Sequence, residues 1–156
     1  MKLSDLMKYN PITIQCHDSP DADAIASGYT GKEITTDDLG MEAFPDLLAT
    51  YSTRYDASNT NRTTNLRLAS NKINGTVIMP GEVFSYNKVV GKRTIAAGYK
   101  EADIYQDGQV VSGLGGGICQ ITTTLYNAAL LAGLEIVEAN KHSKQVTYVN
   151  QGFDAM

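Results

Sequence analysis

Three consecutive glycines at residues 115–117 stand directly before a helical pattern that contains a cysteine. Such a run costs backbone entropy, so it marks a place where the chain turns tightly or another group approaches the backbone closely. The following residues, ICQITTTLYNAALLA, place apolar side chains at helical spacing, and Gly133 is a typical helix stop. We therefore predict a central helix that starts near Cys119, at residues 118–121, and runs to Ala132.

A cysteine in the first turn of a helix lies among backbone N–H groups without partners and at the positive end of the helix dipole. Both features stabilise a thiolate, so the sequence predicts a lowered pKa and a nucleophilic sulfur for Cys119. The neighbouring Gly116, Gly117 and Gln120 are candidates for an oxyanion hole. The alternative is structural: Cys119 is then a buried small hydrophobe and Gln120 an exposed helix residue.

A cysteine nucleophile needs a base that a third group orients. His142 lies in the polar segment NKHSK between two predicted strands, and Asp154 follows in QGFDAM. We predict Cys119 as nucleophile, His142 as base and Asp154 as the orienting group. This chain order is similar to that of the transglutaminase-like branch of the papain-type fold, although geometry rather than order defines a triad.

The composition limits the class of protein. The chain has 156 residues, of which 42% are hydrophobic and 19% charged, as is typical of one folded domain. Its net charge of −4 argues against a nucleic-acid partner, and no apolar run approaches the length of a membrane span. The N-terminal MKLSDLMKYN has no apolar core of a signal peptide. The protein is therefore expected to be cytoplasmic, or exported from a precursor whose signal is missing here.

The remaining patterns predict a single α+β domain with a mostly antiparallel sheet and most strands after residue 75. The sequence Asp107-Gly108 between two β-rich runs is a strong hairpin signal, and residues 65–74 have helical spacing that ends at Asn74-Gly75. A second helix is predicted at residues 21–28, before a polar linker or loop. Further strands are predicted at residues 11–16, 76–79, 82–87, 134–138 and 145–149.

Most of the chain carries motifs of a known family. These are NRTTNLRLASNKINGTVIMPGEVFSYNKVVG (61–91), GYKEADIY (98–105), GLGGGICQITTTLYNAALLAGLEIVE (113–138) and HS at 142–143. By these motifs the region 48–154 resembles the VanW family, whose domains occur in bacterial cell-envelope proteins, some beside vancomycin-resistance genes. The resemblance implies an extracytoplasmic domain whose partner is peptidoglycan or a cell-wall peptide. Family members continue into further strands beyond the point that corresponds to DAM.

The N-terminal PITIQCHDSPDADAIASG has a different character. Residues 11–28 resemble the opening motif of DHH-family phosphoesterases, and this resemblance makes His17, Asp21 and Asp23 candidate manganese ligands. The DHH triplet and the further aspartates of that family do not follow. Manganese is accordingly expected only if this segment functions, and no other cofactor is expected. We predict a DHH-like fragment, a linker and a C-terminally truncated VanW-like domain, at residues 1–30, 31–47 and 48–156.

Three functions remain open at this point. The first is cysteine-dependent acyl transfer or amide cleavage on cell-wall peptides, and the second is a non-catalytic cell-wall-binding module in which GGGICQ is a packed helix start. The third is a remnant of a manganese-dependent phosphoesterase. For the first, a carboxylate-bearing substrate could be held by arginine guanidinium groups; the candidates are Arg54, Arg62, Arg67 and Arg93.

Overall fold

Two antiparallel strand pairs and three helices make up the described part of the chain. The computed structural model describes the backbone of residues 9–17 and, apart from residues 80 and 107, residues 47–156. This arrangement confirms the α+β class and the antiparallel pairing. The predicted helix at residues 21–28 and the linker after it lie outside the described residues.

The first strand pair joins the described residues 9–17 to the start of the second described range. Strand β1 (Tyr9–His17) pairs antiparallel with β2 (Leu47–Asp56), with Ile12 opposite Thr53. The strand predicted at residues 11–16 is confirmed. Along β2 the burial alternates as expected for a pleated strand with one covered face, and Thr53 and Tyr55 point inward.

Helix α1 (Thr60–Ile73) begins five residues before the predicted start at residue 65. The reason is its N-cap, Asn59, whose side-chain oxygen accepts a hydrogen bond from the backbone N–H of Arg62 at 3.1 Å. The stop at Asn74-Gly75 is confirmed, since the helix ends at Ile73 and Gly75 has a φ of 74°.

Several predicted strands do not form. Residues 76–79 and 82–87 contain no strand, and the second segment instead leads into the short helix α2 (Tyr86–Val90). Met79 and Glu82 close a turn by two mutual hydrogen bonds, of 2.9 and 3.0 Å, so the chain folds back locally instead of meeting a partner strand.

The late segments 134–138 and 145–149 also lack strand structure. Their best-buried apolar side chain, Val146 at 3% exposure, is covered without any sheet ladder. A β-branched run forms a strand only where a neighbouring strand completes its backbone hydrogen bonds. The expectation that most strands follow residue 75 is wrong, because one of the two described pairs precedes it.

The second strand pair is the predicted hairpin. Strands β3 (Glu101–Gln106) and β4 (Gln109–Leu114) pair antiparallel, with Gln106 opposite Gln109. Gly108 supplies the positive φ, 77°, that a two-residue hairpin turn requires. The prediction at Asp107-Gly108 is confirmed, and β4 delivers the chain to the triple glycine.

The central helix α3 (Ile118–Leu131) follows that turn and confirms the prediction closely. It lies against β2 and α1, and Ile121 and Leu66 are almost fully buried where the helices meet. Burying each such side chain contributes about 1.5–3 kcal/mol. In the described part of the chain, no helix has the length and apolar content needed to cross a membrane.

Candidate functional site

The three glycines before α3 are closely approached by other parts of the chain. A Cβ on Gly116 would lie 2.5 Å from the backbone oxygen of Ala102 in β3. One on Gly117 would lie 2.8 Å from the Arg62 side chain, and one on Gly115 would lie 3.2 Å from that of Arg93. The close approach that the sequence predicts is therefore made by β3 and by two arginines.

The side chain of Gln120 is 1% exposed, so the expectation of a solvent-exposed glutamine is wrong. Its Nε2 donates to Thr53 Oγ1 at 3.1 Å and to the Arg54 backbone oxygen at 2.9 Å. Its Oε1 accepts from Arg62 Nη2 at 2.8 Å. Both amide hydrogens are thus bonded within the protein, and Gln120 ties α3 to β2 and α1.

The backbone donors at the start of α3 differ in their partners. The N–H of Gln120 donates to the Gly117 oxygen at 2.9 Å, and that of Ile118 to the Gly115 oxygen at 3.3 Å. Within the described residues, the N–H groups of Gly117 and Cys119 donate to no other residue. The Gly117 N–H is thus uncommitted, whereas the Cys119 N–H acts on its own sulfur, and N–H donors beside a thiol are what an oxyanion hole requires.

Cys119 is a free thiol and is partly buried. Burial raises the pKa of Cys119, and the opposing effects of Arg93, Arg62 and its own backbone N–H only reduce that rise. The lowered pKa expected from the helix start is therefore wrong, because loss of hydration penalises the thiolate more than the nearby positive charge favours it.

His142 and Asp154 form a hydrogen-bonded pair. His142 Nδ1 lies 2.9 Å from Asp154 Oδ2, and the same oxygen accepts the backbone N–H of His142 at 2.8 Å. The two side chains are only 8% and 11% exposed. Burial alone would raise the pKa of Asp154, but the hydrogen bonds and charge of His142 outweigh it and leave that pKa lowered. The carboxylate thus fixes the imidazole by Nδ1 and leaves Nε2 for another partner.

The segment that carries Asp154 is fastened to α3. Thr123 Oγ1 donates to the Ala155 oxygen at 2.9 Å and accepts the Ala155 N–H at 3.1 Å. Asn127 Nδ2 donates to the Phe153 oxygen at 2.7 Å. Positions 119, 123 and 127 follow one another at one-turn intervals on a helix face. Asp154 is therefore held on the face of α3 that begins at Cys119.

Tyr148 interacts with Thr123 and is close enough to Cys119 and Asp154 for their charges to act on it. The pKa of Tyr148 is raised to about 12, first by burial, and Cys119, Arg62 and Asp154 all act on it electrostatically. Among the described residues, Cys119 and His142 form no direct hydrogen bond. Sequence reasoning did not connect Thr123 to the site, although its i+4 spacing from Cys119 is a usable signal.

A groove of about 290 Å³ opens beside the His142–Asp154 pair. Its walls come from the irregular segment 141–154 and include the exposed Lys141 and Lys144. This places the imidazole and carboxylate on the wall of that groove, whose lining comes only from residues 141–154 and does not include Cys119.

The prediction of manganese ligands falls largely outside the described residues. The backbone of His17 ends β1, and Asp21 and Asp23 lie outside the described part. Within that part, no group of three or more His, Cys, Asp or Glu side chains could hold a metal ion.

Comparisons with known proteins point to one family. The family described as VanW like protein matches residues 61–156. An uncharacterized protein, YoaR of Bacillus subtilis, is 45% identical over 108 residues, 69% of this chain and 36% of its own length. The vancomycin B-type resistance protein VanW of Enterococcus faecalis is 33% identical over 82 residues, 53% of this chain and 30% of its own.

The chain thus spans about a third of the length of these curated relatives. No solved structure matches it significantly. The family match begins at residue 61, so these comparisons give no support to the DHH resemblance of residues 11–28.

Proposed function

Because the chain belongs to the VanW-like family, we propose that it is a bacterial cell-envelope domain that acts on cell-wall peptides by cysteine-dependent acyl transfer or amide cleavage. Peptidoglycan, or a peptide from it, is the partner in this proposal, and the location is extracytoplasmic. The observation that carries the catalytic part is the 2.9 Å contact between His142 Nδ1 and Asp154 Oδ2. The residues on either side of Asp154 are bonded to the helix face that begins at Cys119, which supports this proposal.

In the proposed reaction, His142 Nε2 removes the proton from the Cys119 thiol as the sulfur attacks the carbonyl carbon of an amide. The N–H groups of Gly117 and Cys119 stabilise the resulting oxyanion. The C–N bond then breaks, the amine leaves with the proton from His142, and a thioester remains on Cys119. Water or a second amine attacks that thioester, restores the thiol and gives hydrolysis or transfer.

The raised pKa of Cys119 fits a particular order of events. A thiol that burial keeps protonated has to lose its proton during the attack, and so requires a correctly oriented base. Asp154 supplies that orientation by binding both Nδ1 and the backbone N–H of His142. Asp154 therefore acts as a positioning residue.

The direct test is incubation of the protein with purified peptidoglycan fragments, followed by mass spectrometry of the peptides. We expect new cleavage or transfer products with the unmodified chain and their loss with Cys119→Ala. Asp154→Asn should lower the rate by about 10²-fold or more, because the imidazole loses its orienting carboxylate. The matched control is Cys16→Ala, which alters the other cysteine of the chain and should retain activity. Equal product formation by Cys119→Ala would contradict the proposal.

A second candidate is a non-catalytic cell-wall-binding module. It is favoured by the raised thiol pKa and by the close packing of all three glycines against the chain itself. Co-sedimentation with insoluble peptidoglycan separates the two. Binding by the unmodified chain without any change in the peptides would support the module and contradict the catalytic proposal.

A further inference from the structure

Two guanidinium groups flank the turn that leads into Cys119. The side chain of Arg62 lies against Gly117, and that of Arg93 lies against Gly115. The positive charges of both act on the Cys119 thiol. In the part of the chain that the structure describes, neither arginine forms an ion pair with a carboxylate. Two cations therefore lie beside the proposed nucleophile without an anionic partner among the described side chains.

Both arginines are half-buried and only partly bonded. Arg62 Nη2 donates to Gln120 Oε1 at 2.8 Å, and Arg93 Nη2 donates to Asn87 Oδ1 at 2.7 Å. Both of these acceptors are neutral amide oxygens. Removing a guanidinium from water is costly unless an opposite charge and hydrogen bonds replace the lost hydration. The described residues supply the hydrogen bonds in part, and they supply no counter-charge.

Two buried polar atoms next to this turn have no hydrogen-bond partner among the residues that the structure describes. Arg93 Nε is buried without an acceptor, and so is the hydroxyl of Tyr99, a residue that is 1% exposed. The ring of Tyr99 and the side chain of Arg93 both contact the position of Gly115, and the charge of Arg93 acts on Tyr99. Buried polar groups are normally satisfied, so unpaired donors here point to a missing acceptor.

We propose that Arg62 and Arg93 bind a carboxylate of the ligand beside Cys119. A guanidinium presents a planar fork of N–H donors that matches a carboxylate. The substrate class is then a cell-wall peptide with a free carboxylate close to the carbonyl that the thiol attacks. The attack on that carbonyl rests on the proposed function. Binding of a carboxylate by the two arginines does not depend on catalysis. Arg54 and Arg67 are exposed side chains and take no part in it.

The test compares two alkylating reagents that differ in charge. Iodoacetate carries a carboxylate and iodoacetamide a neutral amide, and both react with the same thiolate. The ratio of their rates at one thiol therefore cancels the thiol pKa and reports the preference for an anion. The measurement uses the full chain with Cys16→Ala, so that Cys119 is the only thiol, and N-acetylcysteine provides the reference ratio.

At low salt we expect the iodoacetate-to-iodoacetamide ratio at Cys119 to exceed the reference about 5-fold or more. Arg93→Gln should reduce this excess about 3-fold or more, and Arg62→Gln should do the same. Arg67→Gln is the matched control on the exposed side of α1 and should leave the ratio unchanged. Acetate should slow the iodoacetate reaction, and inorganic phosphate should do so less effectively.

A ratio at or below the N-acetylcysteine value would overturn the proposal, as would complete protection of the native thiol from both reagents. Stronger competition by phosphate than by acetate would assign the site to a different anion and contradict the carboxylate. If Arg62→Gln fails to fold because its bond to Gln120 is lost, Arg93→Gln and acetate competition decide. A high ratio without peptide products would contradict only the proposed catalysis, and a neutral ratio with products would contradict only this subsite.

Discussion

Replacement of Gly116 by alanine tests whether the glycine turn is built by close packing against β3. An added Cβ would lie 2.5 Å from the Ala102 oxygen, 2.6 Å from its carbonyl carbon and 2.7 Å from the Asp103 oxygen. All three are backbone atoms of a paired strand, so no side-chain rotation can relieve the contact. Gly116 is not among the glycines with positive φ, and the cost is therefore steric and not conformational.

The size of the effect follows from overpacking. Forcing extra atoms into a well-packed site costs typically 1–3 kcal/mol, and a clash with backbone belongs at or above the upper end. We expect Gly116→Ala to lower the free energy of unfolding by about 3 kcal/mol or more, a large share of the 5–15 kcal/mol of a typical domain. Urea denaturation followed by far-ultraviolet circular dichroism measures this difference.

Gly75→Ala is the matched control. Gly75 has a φ of 74°, and a Cβ there would meet nothing within 4 Å, so alanine should cost only about 1–2 kcal/mol of backbone strain. If Gly116→Ala were no more destabilising than Gly75→Ala, the turn would not be packed against β3. The glycine would then have to serve a ligand that approaches the backbone.

Three further outcomes follow from buried polar groups. Gln120→Ala should lower the free energy of unfolding by about 3–5 kcal/mol, because three hydrogen bonds are lost and one partner is charged. The control Gln109→Ala, at an exposed position, should change that free energy by under about 0.5 kcal/mol. A similar effect of both substitutions would refute the structural role of Gln120. Since the pKa of Asp154 is lowered in the folded state, its stabilisation exists above the unfolded carboxyl pKa of about 4 and is lost as the pH falls through the folded value. The stability difference between the unmodified chain and Asp154→Asn should therefore shrink in acid urea titrations, and a difference that grows below pH 4 would contradict it. Because burial raises the pKa of Cys119, its iodoacetamide labelling rate should still increase with pH above about 8.5, where a free thiol titrates, and rapid labelling near pH 6.5 would refute that burial effect.

The sequence predicts those features whose causes are local. Helix α3 and the β3–β4 hairpin depend on helical spacing, on Gly133 and on the turn at Asp107-Gly108, all within a few residues of the element itself. The extra turn at the start of α1 depends on a single capping side chain, Asn59. A prediction from apolar spacing overlooks such a cap, because it places the start of the helix at the apolar residues that follow.

The environment of the candidate site is not local, and sequence reasoning could describe it only in outline. Gln120 is bonded to residues that lie more than fifty positions away in the chain, so its burial could not be derived from a helical pattern. The same holds for the Cys119 thiol, whose pKa is governed by desolvation from the assembled core. The contact of His142 with Asp154 agrees with the chain order from which their roles were predicted, while those roles stay a prediction.

The most direct test of the central claim is a time course of intact-protein and peptide mass spectrometry with a carboxylate-bearing cell-wall peptide. The account predicts a transient acyl adduct on Cys119, or released product that depends on Cys119, and slow formation of both in His142→Ala. Unchanged peptide and unmodified Cys119 throughout, in a protein that still binds the peptide, would contradict it.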